Sequence, residues 1–227
     1  VSGGIDSSVV STICARTGIK TLVASMPISQ RPEHHDLSIK HSQWLSQKFT
    51  NAYSVELDLT GAFMSFENIL TDKKFTSDMG LANSKARLRM MTLYQISAST
   101  SGIVVGTGNK IEDFGVGFYT KYGDGGVDIS PIADCTKSQV WAMGKELGIL
   151  EEIQMAEPTD GLWSDGRTDT DQLGMSYKEI EFLMDRPSEP GYEKYLAIRK
   201  KNLHKMKSIP ICKFDGKDTL DADPKKT

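Results

Sequence analysis

Residues 1–10 read VSGGIDSSVV, and this stretch decides the fold. Val9, Val10, Ile13 and Cys14 recur at helical spacing, and Gly18 is placed to end the helix. Ahead of them, Ser2, Gly3, Gly4, Asp6, Ser7 and Ser8 fall within seven residues. A short Gly-Gly turn lets backbone N–H groups converge on one anion, and the helix N-terminus behind it adds partial positive charge. Serine hydroxyls supply further donors. A single carboxylate beside bound phosphates is most simply a magnesium ligand, and Asp6 is that carboxylate. The stretch therefore reads as a phosphate cradle; the plainer alternative is a strand-turn-helix junction capped by Ser and Asp. A turn of this kind follows a strand, so a strand is expected ahead of Val1.

Working outward, "KTLVASM" (20–26), "AYSVELD" (52–58) and "GIVVGT" (102–107) read as short strands. Between them lie helical patterns. Leu37, His41, Trp44, Leu45 and Lys48 share one face of a segment from 33 to 49, with Pro32 suited to its first turn. A longer pattern runs from 83 to 100, and others from 136 to 147, 177 to 185 and 192 to 206. Strands alternating with helices predict an α/β fold, a mostly parallel sheet with helices on both faces, whose ligands bind beyond the carboxyl ends of the strands. "VSGG" and "VVGTGN" lie at two such ends and carry the residues that look chemical. The segment "EPTDGLWSDGRTDTDQLG" (157–174) has the polarity and glycine content of a loop that closes over a ligand. One catalytic domain over 1–210 is expected, with a polar tail from 211 to 227.

Bulk properties exclude several classes. The 227 residues carry a formal net charge of -3, with 25% charged side chains, and the pI is about 5.9. No basic excess is present to bind nucleic acid through its phosphates. No apolar run approaches the ~20 residues that span a bilayer, and membrane partners are not expected. Cys14, Cys135 and Cys212 are odd in number and form no CxxC, which fits reduced thiols in a cytoplasmic protein. Neither GxxxxGK[ST] nor GxGxxG occurs, nor the nucleophile elbow GxSxG. Asp169, Asp171 and Gly174 mimic the start of an EF-hand loop, but Leu173 and Ile180 stand where ligands are needed. His34 and His35 are adjacent and point about 100° apart on a helix, poor geometry for sharing a metal.

"SGGIDSS" resembles the SGGxDS[ST] signature of the PP-loop ATP pyrophosphatases. "NSKARLRMMTLY", "VVGTGNKIED", "FYTKYGDGGVDISPI", "TKSQVWAMGKELGI", "EPTDGL" and the pair His204-Lys205 then resemble the NAD synthetase family, in that family's order and over most of the chain. The resemblance implies an adenine-nucleotide α-hydrolase-like fold, a homodimer, and ATP-dependent amidation of nicotinate adenine dinucleotide (deamido-NAD) by ammonia. In that reaction ATP adenylylates the carboxylate, pyrophosphate leaves, and ammonia displaces AMP. It also implies roles residue by residue. Ser2, Gly3, Gly4, Ser7 and Ser8 hold the ATP phosphates, with Thr107, Lys137 and Thr159 as further ATP contacts. Asp6 and Glu112 bind Mg2+. Arg87, Lys121, Asp128, His204 and Lys205 contact the dinucleotide, and in "KARLR" Arg87 rather than Arg89 is the match. Asp6, Lys121, Asp128 and Lys137 are the expected catalytic set.

Charge considerations agree with these roles. Bringing a carboxylate against a triphosphate requires positive charge to offset anion repulsion. Plainer readings stand beside them: Thr107 as a strand end, His204-Lys205 as helix surface, Lys137 as a solvated side chain. A tRNA-modifying PP-loop enzyme is the alternative function, and the acidic pI speaks against it. "GTGNKIE" departs from the "GTDHAAE" common in bacterial members but keeps the Thr-to-Glu spacing. No cysteine lies in a recognisable glutaminase setting, so free ammonia is the expected nitrogen donor.

Overall fold

The computed structural model describes residues 1–29, 32–163 and 165–212, excluding the side chains of 32–34. The order is α1 (Ile5–Arg16), β1 (Thr21–Ser25), α2 (Pro32–Lys48), β2 (Ala52–Glu56), α3 (Thr60–Asp72) and α4 (Asp78–Thr100). A π-helix (Lys110–Val116) follows, then α5 (Lys137–Glu146), α6 (Glu151–Met155), α7 (Asp169–Leu173), α8 (Tyr177–Leu183) and α9 (Tyr192–Met206). The tail expected from residue 211 lies, from 213 onward, outside the described residues.

β1 and β2 pair in parallel, from Thr21 opposite Ala52 to Ser25 opposite Glu56. The third expected strand, 102–107, is reduced to one parallel bridge between Val105 and Ile129. The reason is local: Asp128 Oδ2 accepts the Val104 N–H at 2.7 Å, so a side chain takes the donor that a longer ladder would use. Val1 lies beside β1, its amine donating to Ala24 O at 2.6 Å.

The helices follow their apolar faces. On α2, His41 and Leu45 are fully buried, with Leu37 and Trp44 packed at the margin, as the spacing predicts. α4 begins at Asp78, five residues before the expected start, because Ser77 caps it by accepting the Gly80 N–H. α1 packs on α5 through Ile5, Val9 and Val140. Gly144 makes the close approach possible, since a Cβ there would lie 2.5 Å from Ile5 Cδ1. Fully burying Val9 or Val140 contributes about 1.5–3 kcal/mol each, so this contact fixes α1 against α5. A second core, including Ile111, Val116, Ile180 and Leu183, joins the π-helix to α8 and α9.

Candidate active site

The Gly-Gly turn is built as its composition predicts. Gly3 adopts φ +89°, a left-handed conformation that glycine reaches without steric cost. Gly4 is the N-cap of α1 and, unlike the caps of α5, α7 and α8, makes no side-chain capping bond. The serines divide in role. Ser2 Oγ meets Ser7 Oγ at 3.2 Å. Ser7 and Ser8 donate to Gly4 O at 3.1 and 3.0 Å, and Ser8 is fully buried, so these hydroxyls brace the turn from beneath.

Three segments distant in sequence converge beside this turn. Lys137 Nζ, on the first residue of α5, lies 2.6 Å from Asp6 Oδ2 and 2.8 Å from Glu112 Oε1. Its side chain is 2% exposed; those of Asp6 and Glu112 are 15% and 17% exposed. A lysine at a helix start opposes the helix dipole, and the two carboxylates outweigh that penalty. Burial alone would lower the Lys137 pKa, but Glu112 and Asp6 hold it above the ordinary lysine range. Burial raises the Asp6 carboxyl despite Lys137, whereas in Glu112 the charge of Lys137 and hydrogen bonds from Lys137 and Tyr177 overcome burial and lower it.

"GTGNKIED" forms an Asn-capped π-helix, a geometry concentrated at functional sites. Asn109 Oδ1 accepts the N–H groups of Ile111 and Glu112 at 3.0 and 3.1 Å, and its Nδ2 donates to Asp6 Oδ1 at 2.8 Å. One buried amide thus orients both carboxylates. Gly108 is equally constrained, because a Cβ there would lie 2.0 Å from the Asp113 carboxyl. Asp113 is raised to about 7, by burial and then by the charges of Glu112, Asp124 and Asp6.

Among the described residues no group of three or more His, Cys, Asp or Glu side chains is placed to hold a metal. Two carboxylates converging on one buried cation is nonetheless the donor set for Mg2+, which takes one or two carboxylates and completes its shell with phosphate oxygens and water. The residues fit the ion as a partner of a nucleotide.

The residues expected at the dinucleotide gather around the C-terminal end of α9. Lys121 Nζ donates to His204 O (3.3 Å), Arg87 Nε to Lys121 O (3.3 Å), and Lys205 Nζ to Gly117 O and Tyr119 O at 2.9 and 2.8 Å. The His204 side chain is exposed. Asp128 stands apart from them: it accepts from Tyr94 Oη (3.0 Å) and from Val104 N, pinning α4 to the Val105 bridge. Both its oxygens are engaged in bracing, which weakens its expected role as a proton acceptor. Thr159 Oγ1 bonds within its own loop, to Arg167 O and Gly161 N, and Thr107 is half-buried. The 157–174 segment is more ordered than a plain loop, since α7 closes it behind a Thr168–Asp171 capping box. His35 pairs with Glu56 at 3.1 Å, and the His34 side chain lies outside the described residues.

Asn109, Asp169 and Tyr177 join the site although their sequence context assigns them no role in it, and Arg89 is weighed there and passed over. Arg89, set aside in favour of Arg87, donates Nε to Met26 O at 2.9 Å and keeps a buried Nη2 without an acceptor among the described residues. Asn109 carried a usable signal, an Asn three residues before an acid at a helix start.

A parallel α/β fold with a Ser-Gly-Gly turn feeding an acid–lysine–acid centre defines a nucleotide-using enzyme. The chain belongs to the NAD synthase family, a family of ligases, whose model matches residues 1–217. The NH(3)-dependent NAD(+) synthetase of Carboxydothermus hydrogenoformans is 35% identical over 213 residues, covering 92% of this chain and 85% of its own. Among solved structures, the NMN synthetase of Francisella tularensis superposes with a TM-score of 0.85 at 31% identity, covering 94% of this chain and 87% of its own. The NH3-dependent NAD synthetase of Campylobacter jejuni superposes with a TM-score of 0.71 at 25% identity, covering 93% and 87%. The sheet and helices are therefore those of the adenine-nucleotide α-hydrolase fold.

Proposed function

We propose that the chain amidates the nicotinate carboxylate of deamido-NAD with ammonia, at the expense of ATP, giving NAD, AMP and pyrophosphate. The observation that carries this reading is the Lys137-bridged pair of Asp6 and Glu112 at the first turn of α1, beside a glycine turn suited to phosphate. Magnesium, held by Asp6 and Glu112 on the phosphates, supplies charge neutralisation when bound. The Gly3-Gly4 turn and the α1 N-terminus bind the triphosphate. A carboxylate oxygen of the substrate attacks the α-phosphorus, the bond to pyrophosphate breaks, and Lys137 is the buried cation available to the leaving group. Ammonia then attacks the carbonyl carbon, AMP departs with one former carboxylate oxygen, and a proton is lost from nitrogen. Arg87, Lys121, His204 and Lys205 receive the dinucleotide. The reading places the enzyme in the cytoplasm as a homodimer. An exposed apolar surface on α3, with Met64 54% and Ile69 65% exposed, supports self-association.

A second reading concerns the acid that is amidated. The Francisella tularensis enzyme, named for NMN, superposes better than the Campylobacter jejuni NAD synthetase, 0.85 against 0.71. This favours nicotinate mononucleotide as a competing substrate. One assay separates the two: AMP and amide release with ATP, Mg2+ and ammonium, comparing the dinucleotide with the mononucleotide at equal concentrations. Higher kcat/KM for the dinucleotide supports the first reading, and higher kcat/KM for the mononucleotide supports the second. No AMP with either substrate contradicts both.

A further inference from the structure

Tyr177, the first residue of α8, sends its hydroxyl between two acids from different elements. Its Oη lies 2.6 Å from Glu112 Oε1 on the π-helix and 2.7 Å from Asp169 Oδ2 on α7. Tyr177 and Asp169 lie below the surface, 4% and 5% exposed, and Asp169 Oδ1 has no hydrogen-bond partner among the described residues. The tyrosine ring is held in place by Trp141, edge-on at 6.4 Å, and by Lys137 Nζ at 4.6 Å from its centroid. A phenol has one proton. If it is donated to Glu112, which Lys137 keeps ionised, then Asp169 meets Oη favourably only as a donor. The order of hydrogen bonds is thus Asp169 to Tyr177 to Glu112.

Asp169 in turn organises the loop that carries Thr159. Its backbone N–H donates to Pro158 O at 3.0 Å. From the same helix, Gln172 Nε2 donates to Asp160 Oδ2 at 3.1 Å, and Gln172 Oε1 accepts from Trp163 Nε1 at 2.9 Å. One continuous chain of contacts therefore runs from Glu112 to residues 158–163.

We propose that Tyr177 and Asp169 are positioning residues that hold Glu112 toward the metal of the bound nucleotide and couple that carboxylate to the Thr159 loop. The proposal rests on the assignment of Asp6 and Glu112 to Mg2+ made above. Metal occupancy at Glu112 and closure of the loop become one event rather than two.

The test uses the whole chain with two readouts: Mn2+ binding in the presence of ATP, followed by electron paramagnetic resonance, and tryptic cleavage after the exposed Arg167. In the wild type, ATP with metal is expected to protect the bond after Arg167, and absence of protection would overturn the coupling. Tyr177→Phe and Asp169→Ala are expected to raise both midpoints, for Mn2+ affinity and for protection, by about tenfold and in step. Asp169→Asn keeps a donor toward Tyr177 and should stay within about threefold of wild type in both. Asp6→Asn is the control for the parent assignment. If it leaves Mn2+ affinity unchanged, the metal assignment fails and the coupling falls with it. If Asp6→Asn weakens Mn2+ but Tyr177→Phe and Asp169→Ala do not, the coupling alone is overturned. Loss of the folded state in both of the latter variants would make the chain a structural brace and also overturn it.

Discussion

Lys137 illustrates how much a single side chain can settle. It opens α5 where a cation is electrostatically disfavoured, and it is buried, so its ammonium persists only because Asp6 and Glu112 flank it. Replacing it with Met leaves two buried carboxylates facing each other. Stability should fall by about 3–5 kcal/mol, with part regained on adding Mg2+; thermal melts with and without the ion check this, and an unshifted melting temperature would contradict the bridge. Asp6→Asn should leave the fold intact and lower turnover by at least about 100-fold, the usual order for losing such an electrostatic element, as measured by AMP release at saturating Mg2+. Asp169 governs a pH effect. Burial, reinforced by the Glu112 charge, raises its carboxyl from 3.8 to about 7. A raised acid binds its proton more tightly folded than unfolded, so its contribution to stability falls as pH climbs from about 4 to about 7 and then levels. Asp169→Asn removes that fall, and the variant should gain on wild type by on the order of 2–4 kcal/mol across the window; melts showing a constant difference from pH 4 to 8 would contradict it.

At the scale of elements, the glycines of the two chemical turns are the test points. Gly3 at φ +89° strains any L side chain, and Gly108 has the Asp113 carboxyl where its Cβ would stand. Gly108→Ala is expected to cost about 1–3 kcal/mol through overpacking and to weaken nucleotide binding by tilting the π-helix; chemical denaturation and ATP titration measure the two effects. The elements were unequally legible in the sequence. α2, α5, α8 and α9 announced themselves as helical patterns, and α9 matches its expected bounds of 192 and 206. The 102–107 run is β-branched, yet Asp128 interrupts its ladder, an effect of a residue more than twenty positions away. The π-helix has no local pattern of its own, since it exists to deliver Asn109 and Glu112 to Asp6. Asp6 was legible from the Gly-Gly turn it follows, whereas Glu112 and Lys137 were singled out by the family resemblance. That Lys137 would join the two acids, and that Tyr177 would lean on Glu112, depends on α1–α5 and α8 packing that no single window contains.

For the whole molecule, family membership explains why turn, π-helix and α5 lie so far apart in sequence and so close in space. No described helix is long and apolar enough to cross a membrane, and the proposed homodimer is tested at the exposed apolar residues of α3. Ile69→Glu should shift a sedimenting dimer toward monomer, and an unchanged sedimentation coefficient would place the interface elsewhere. The central claim is that the substrate's carboxylate is activated on the α-phosphorus of ATP beside Asp6, Glu112 and Lys137. The most direct measurement supplies substrate labelled with oxygen-18 in the carboxylate, with ATP, Mg2+ and ammonium, and reads the products by mass spectrometry. Transfer of one labelled oxygen to AMP is the predicted result; label in inorganic phosphate accompanied by ADP would contradict the account.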